Sequence, residues 1–144
     1  MMFVSKFSLP LNTAKNIYLF LPTHAEKEQG FIHLMDTIKC ITVTLRAKLI
    51  MVVGSQSQKS LQKFLHYDRF FNDVRYMIFE YYPNISTISG GIQTNDLIFA
   101  VSARPLTVSF NRRLELLPKI LSRHFAEQNY VIIYPEQAED TEID

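Results

Sequence analysis

Polar side chains suited to holding an anion follow a short apolar run at residues 97–101. They fall within one stretch of ten residues and comprise Ser102, Arg104, Ser109 and Asn111. A guanidinium binds a phosphate or carboxylate through paired hydrogen bonds, and hydroxyl and amide groups add single ones. This loop is therefore a candidate site for a small anion or a carboxylate. The interpretation that we favour for Arg104 is an ion pair with an acidic residue of the loop or of a neighbouring domain.

A second pair of candidate ligand-binding residues, Thr23 and His24, follows the apolar run at residues 17–21. The sequence Thr-His-Ala-Glu at residues 23–26 matches a capping box, in which a hydroxyl and a carboxylate bond to free amides at a helix start. We expect a helix to begin there, with Glu26 and Glu28 at its positive end, where they would repel an anion. The alternative for His24 is a solvent-facing residue near the helix cap.

Neither a metal site nor a catalytic set is expected. The four histidines, at positions 24, 33, 66 and 124, lack the spacing of zinc ligands. Cys40 and His33 would lie two helical turns apart, about 10 Å, which is too far for a catalytic pair.

The composition indicates one globular domain and excludes several classes of protein. The chain has 144 residues, of which 47% are hydrophobic and 20% charged, and its net charge is +1. Because no long basic stretch is present, we expect no nucleic-acid partner. The single cysteine permits no intrachain disulfide and fits a reducing cytosol. No apolar run reaches the roughly 18 to 20 residues that cross a bilayer, so we expect no direct membrane insertion by this segment.

Five apolar runs alternate with helical patterns, at residues 17–21, 49–53, 74–82, 97–101 and 130–134. Continuous apolar runs of this length are typical of parallel strands buried on both faces. One amphipathic helix is indicated by an apolar stripe between the first two runs, formed by Phe31, Leu34, Ile38, Ile41 and Leu45. The order predicts a three-layer α/β/α sandwich around a five-stranded, mostly parallel sheet, with ligands bound beyond the carboxyl ends of its strands.

The sequence divides into three parts. Residues 1–16 lack a sustained period and contain Pro10 and Asn12, so we predict a linker that leads into the domain. Residues 17–137 carry the α/β pattern. Residues 138–144 hold four carboxylate side chains and are expected to form a solvated acidic tail. The run 130–134 is expected at an edge of the sheet, where it could pair with a second copy or another domain if it is not covered.

Three stretches together resemble one known family. They are residues 22–31 (PTHAEKEQGF), residues 95–104 with Ser109 and Phe110, and residues 117–125 continuing to the sequence YPEQ at 134–137. In combination they resemble the universal stress protein-like fold of the adenine nucleotide alpha hydrolase superfamily. They are most similar to the C-terminal cytoplasmic domain of sodium/proton antiporters of the cation:proton antiporter family in Bacteroides-type bacteria. The resemblance spans about residues 15 to 137.

This resemblance implies a soluble domain at the cytoplasmic face of the bacterial inner membrane. The remainder of the antiporter, a membrane domain that exchanges a cation for protons, is its implied partner, and homodimerisation is left open. The implied role is regulation or assembly, with no catalysis by the domain itself. The alternative is a free-standing universal stress-like protein that binds a nucleotide.

A nucleotide cofactor is not expected in the leading interpretation. ATP-binding universal stress proteins carry a G-x-x-G-x9-G-[ST] loop after the fourth strand, and its glycines let backbone amides approach the phosphates. No glycine follows Gly91 in this chain. An enzyme of the superfamily would also need a phosphate loop after residue 21, where the sequence is Pro-Thr-His-Ala-Glu. We therefore predict neither a cofactor nor an enzyme.

Overall fold

A computed structural model describes residues 2–7, 10, 13–79, 91–93, 95–102 and 112–134. The strands in this part of the chain are β1 (Met2–Lys6), β2 (Asn16–Phe20), β3 (Lys48–Gly54), β4 (Arg75–Phe79), β5 (Leu97–Val101) and β6 (Asn129–Tyr134). The α-helices are α1 (Phe31–Leu45), α2 (Gln58–Phe64) and α3 (Leu117–His124). Short 3-10 turns lie at Ala25–Lys27, Leu65–Tyr67, Arg69–Asp73 and Arg112–Leu116.

The six strands form one sheet in the order β1-β6-β5-β2-β3-β4. β2 pairs in parallel with β3 on one side and with β5 on the other. β4 and β6 extend this parallel arrangement outward. Only β1 runs the other way, because it pairs antiparallel with β6. The prediction of an α/β fold with a mostly parallel sheet is therefore confirmed, whereas the described residues form six strands where five were predicted.

The strands that follow β2 in the chain lie on both sides of it in the sheet. β3 and β4 follow on one side of it, and β5 and β6 lie on the other. Right-handed crossovers in opposite directions place their helices on opposite faces of a sheet. Accordingly, α1 and α2 pack on one face, while α3 packs on the other. This doubly wound arrangement explains why β2 and β5 are apolar on both faces.

Each face of the sheet carries its own apolar cluster. On the first face, Phe31 and Ile38 of α1 and Leu61 of α2 are buried in a cluster with alternate strand residues. On the second face, Leu117 and Leu121 of α3 are buried in a cluster with the strand residues whose side chains point to that face. The predicted stripe of α1 is confirmed, since three of its five residues are buried and the other two are half-buried.

The structure differs from two expectations about the ends of the chain. Within residues 1–16, predicted as a linker, Met2–Lys6 forms a strand. Its partner is β6, with Val4 opposite Ile132. The strand therefore depends on pairing with a distant part of the chain, which the local sequence pattern does not indicate. The same pairing covers the outer side of β6, which was expected at an edge and is instead an interior strand. Residues 135–144, which include the predicted acidic tail, lie outside the described residues.

No helix within the described ranges is both long and apolar enough to cross a membrane.

A buried carboxylate joins the amino ends of the two central strands. Asp96, only 1% exposed, accepts hydrogen bonds from the side-chain amide of Asn16 at 3.3 Å and from the backbone amide of Gln93 at 3.0 Å. Burial, and next the negative charge of Asp96, raise the pKa of the Tyr18 phenol above its ordinary value, while Arg75 opposes this. The acid thus holds β2, β5 and the turn before β5 together.

Replacing this acid should weaken the whole sheet. We expect Asp96→Ala to lower the free energy of unfolding by about 1–3 kcal/mol, because it removes a buried acceptor that bonds to the side chain of Asn16 and to the backbone amide of Gln93. Urea denaturation followed by circular dichroism measures the change. The matched control is Glu115→Ala on the exposed side of a 3-10 turn, which should stay within about 0.5 kcal/mol of the wild type. Equal losses in the two variants would contradict the assigned role of Asp96.

Candidate functional site

The two strands that precede the predicted ligand-binding residues are neighbours in the sheet. β2 and β5 run parallel, with Phe20 opposite Ala100 at their carboxyl ends. The helix that follows β2, α1, packs on one face of the sheet. The helix between β5 and β6, α3, packs on the opposite face. In open α/β sheets, ligands bind in the crevice at such a switch point, outside the carboxyl ends of the strands. The structure therefore brings the segments after β2 and β5 to one edge of the sheet.

The segment after β2 begins as an extension of the sheet and then turns sharply. The backbone amide of Leu21 donates to the carbonyl oxygen of Val52 at 3.1 Å, and the amide of Ala25 donates to that of Pro22 at 3.2 Å. Thr23 and His24 form the exposed tip of this turn. Both predicted residues thus lie at the carboxyl edge of the sheet with their side chains accessible to a ligand.

His24 holds an unusual backbone conformation at this tip. Its φ of 69° lies in the left-handed region, which a residue with a β-carbon adopts at a cost of about 1–2 kcal/mol. The other described non-glycine residue in this region is Arg46, which ends α1 as helix C-terminal residues commonly do. Strained backbone of this kind persists where its surroundings hold it, and it is often found at binding sites.

The predicted capping box does not form. α1 begins at Phe31 rather than near Thr23, and the Ala25–Lys27 turn has no side-chain cap. Glu26 is instead turned inward and is 5% exposed, and its Oε2 accepts a hydrogen bond from the hydroxyl of Ser60 at 2.8 Å. The first turn of α1 contains no acidic residue. The sequence indicated that Glu26 would repel anions from the start of a helix. In the structure Glu26 instead connects this turn to α2 through Ser60.

Glu26 also carries a polar atom that is not satisfied. Its Oε1 is buried and has no hydrogen-bond partner among the residues that the structure describes. A buried carboxylate oxygen without a donor is unfavourable by about 1–3 kcal/mol or more. The connection between β2 and α1 thus combines an unsatisfied acid with the strained backbone of His24.

The end of β3 lies directly beneath this turn. A β-carbon built on Gly54 would be 3.8 Å from the hydroxyl oxygen of Thr23 and 3.7 Å from the ring of Phe79. Those are ordinary van der Waals distances, so the glycine leaves only the space of a methyl group there. Thr23 consequently faces the carboxyl ends of β3 and β4.

The predicted residues after β5 have a different outcome. Ser102 is 2% exposed, and its backbone amide donates to the carbonyl oxygen of Ile133 at 2.8 Å. It extends the pairing of β5 with β6 and does not offer an open hydroxyl to a ligand. Arg104, Ser109 and Asn111 lie outside the described residues. Their part in the predicted anion site stays a prediction.

The described part of the site is a polar turn on an apolar base rather than a set of reacting groups. Thr23 supplies a hydroxyl and His24 an imidazole that can donate or accept a hydrogen bond. No group of three or more histidine, cysteine or acidic residues that could hold a metal ion occurs within the described ranges. Sequence reasoning missed the inward turn of Glu26, because a capping-box pattern does not distinguish a local partner from Ser60 on another helix.

Comparisons with known proteins assign no family. The sequence matches no protein-family model, and searches of curated proteins and of solved structures return no match.

The bond between Glu26 and Ser60 can be tested by a double-mutant cycle. We expect Ser60→Ala to lower the free energy of unfolding by about 1–3 kcal/mol, because it removes the donor to a buried carboxylate. In the E26Q background the same change should be clearly less costly, since a neutral amide is cheaper to bury unpaired than a carboxylate. Urea denaturation of the four proteins measures both values. An identical loss in the two backgrounds would show that the pair is not coupled.

Proposed function

We propose that this chain is the C-terminal cytoplasmic domain of a bacterial cation/proton antiporter and that it regulates or assembles the transporter without catalysing a reaction. The observation that carries the proposal is where the resembling stretches lie. Residues 22–31 follow β2, and residues 95–104 include β5, so two of the three stretches flank the switch point. The third includes α3, after which Phe125 packs against Phe20 of β2 with ring centroids 6.2 Å apart.

A regulatory role requires a ligand or partner that favours one of two arrangements of the domain. The turn at Thr23 and His24 is the element best placed for this, because it is exposed, strained and adjacent to the unsatisfied carboxylate of Glu26. A ligand that contacts His24 can hold or release the left-handed backbone. A shift there would pass through Glu26 to Ser60 on α2, since the two side chains are hydrogen-bonded.

The antiporter assignment is tested by asking what the chain is attached to. The experiment is an immunoblot of membrane and soluble fractions of the source bacterium, with an antibody raised against this chain. We expect the antigen in the membrane fraction, resistant to carbonate extraction and much larger than the 16.8 kDa of this chain. A soluble antigen of 16.8 kDa would refute the antiporter proposal and favour the free-standing alternative.

The alternative function, a free-standing universal stress-like protein that binds a nucleotide, is favoured by one observation. The strand order puts β2 and β5 side by side, and nucleotides bind at this position in doubly wound sheets. The two functions make different demands on the same turn. A nucleotide needs phosphate donors there, whereas a regulatory contact needs only the exposed hydroxyl and imidazole.

Ligand binding at the turn is tested by calorimetric titration of the purified chain with ATP, ADP, AMP and cyclic dinucleotides. If one of them binds, Thr23→Val and His24→Ala should each weaken the affinity about 5- to 10-fold, because each removes one hydrogen-bonding group. The matched control is Thr44→Val at the opposite end of α1, which should leave the affinity unchanged. Absence of heat with all four, or equal affinities in the three variants, would remove this turn as a nucleotide site while leaving the immunoblot result to stand.

A further inference from the structure

The outer side of β1 is an open edge of the sheet. β1 pairs with β6 on one side, and no other strand of the described residues pairs with it. Alternate residues of such an edge strand present unpaired backbone amides and carbonyls to solvent, which is a template for another strand. The pairing that makes β6 an interior strand therefore transfers the edge of the sheet to β1.

The side chains of β1 and of the next residue are unusually apolar for an edge. Met2, Phe3, Val4 and Phe7 are 44%, 47%, 49% and 52% exposed, respectively. They point to both faces of the sheet, because successive strand residues alternate. Natural edge strands in monomers usually carry proline, a bulge or a charge that discourages pairing. β1 contains neither proline nor a negative charge, and Lys6 is its one positive charge.

The ammonium of Lys6 is directed back onto its own chain. It donates hydrogen bonds to the carbonyl oxygens of Ala126 and Gln128, the latter at 3.0 Å. It also lies 5.7 Å from the centroid of the Tyr130 ring, within the range of a cation–π contact. The charge is therefore engaged at the turn between α3 and β6. It does not oppose a second strand at the outer side of β1.

The opposite edge of the sheet is less suited to pairing. β4 pairs only with β3 among the described strands. Its first residue, Arg75, is an exposed charge, and Ile78 is its one exposed large apolar side chain, at 46%. Charge at an edge discourages strand addition. Of these two edges, β1 is thus the one with a run of exposed apolar side chains, at Met2, Phe3 and Val4.

We propose that β1 pairs antiparallel with β1 of a second copy of this chain, across a two-fold axis near Val4. A two-fold axis makes such a strand edge complementary to itself, since each donor meets the equivalent acceptor of the other copy. Phe3 would then lie opposite the partner's Ser5, so that a large side chain meets a small one. The two sheets join into one continuous sheet, and the assembly stops at two copies because both β1 edges are paired and the charge of Arg75 disfavours pairing at the β4 edges that remain.

The area available sets the strength of this pair. A fully covered aromatic side chain buries about 150–250 Å², so the half-exposed Phe3 and Phe7 offer roughly 200 Å² per copy, and the smaller Met2 and Val4 raise this to roughly 350 Å². Two copies bury about 700 Å² from these side chains, to which the backbone edges add. Stable complexes bury about 1,200–2,000 Å², and smaller interfaces are weak or transient. The pair should therefore form in the micromolar range rather than permanently.

An apolar groove adjoins the proposed contact. It has a volume of about 450 Å³ and lies between Phe3 and Phe7 on one wall and Cys40 and Ile41 of α1 on the other, with Phe99 among its lining residues. A two-fold axis perpendicular to the sheet keeps the same face of both copies on one side. The grooves of the two copies would then flank the contact, and their apolar rims would approach each other at β1.

Sedimentation equilibrium of the full chain over about 10–500 µM tests the pair. We expect the average mass to rise from 16.8 kDa toward twice that value and no further. Val4→Lys should keep the protein monomeric throughout, because it puts one charge from each copy at the axis. The matched control is Ile78→Lys at the β4 edge, which should associate as the wild type does. Circular dichroism confirms that each variant is folded.

A second measurement does not depend on the Val4→Lys variant. The double variant V4C, C40S should form a disulfide-linked dimer under mild oxidation, whereas I78C, C40S should not. A monomeric wild type at all concentrations would overturn the proposal. So would a dimer that survives Val4→Lys, loss of the dimer in both lysine variants, cross-linking through position 78, or growth beyond two copies.

Discussion

The parallel pairing of β2 with β5 is the constraint on which the rest of the structure depends. β5 is buried along its whole length, and β2 is buried except at Asn16, so their backbone groups can be satisfied only by neighbouring strands. Parallel strands cannot be joined by a tight turn and need crossovers through another layer. After β2 the chain adds strands on one side of it, and from β5 onward it adds them on the other side. This change of side puts α1 and α2 on one face and α3 on the other. The shared carboxyl edge at which Thr23 and His24 lie follows from the same pairing.

The two ends of this central pair differ in how fully their polar groups are satisfied. At the amino end, both carboxylate oxygens of Asp96 accept hydrogen bonds. Beside the carboxyl end, Glu26 has one oxygen bonded to Ser60 and one without a described partner, and His24 is held in a left-handed conformation. The polar groups at the amino end therefore stabilise the fold, whereas the segment at the carboxyl end contains a strained backbone and a carboxylate oxygen without a described hydrogen-bond donor. This contrast is a property of the described residues and does not depend on the resemblance to antiporter domains.

Much of the local structure could be read from the sequence, and part of the site could be too. Apolar runs located β2, β3, β5 and β6, and the stripe from Phe31 located α1. The position of Thr23 and His24 at a strand end was also correct. The start of α1 was not, because Glu26 prefers a partner on α2 to one in its own turn. The burial of Ser102 was missed as well, since it depends on an added hydrogen bond to β6.

The sequence by itself determined most of the segments that are strands or helices and that the sheet is mostly parallel, because burial on two faces and helical periodicity are local patterns. Only the tertiary structure decided which strands are neighbours and which lie at the edges. β1 shows the reason: its five residues carry too weak a pattern, and it becomes a strand because β6, at the far end of the chain, offers it unpaired backbone groups. That long-range pairing moved the sheet edge from β6 to β1.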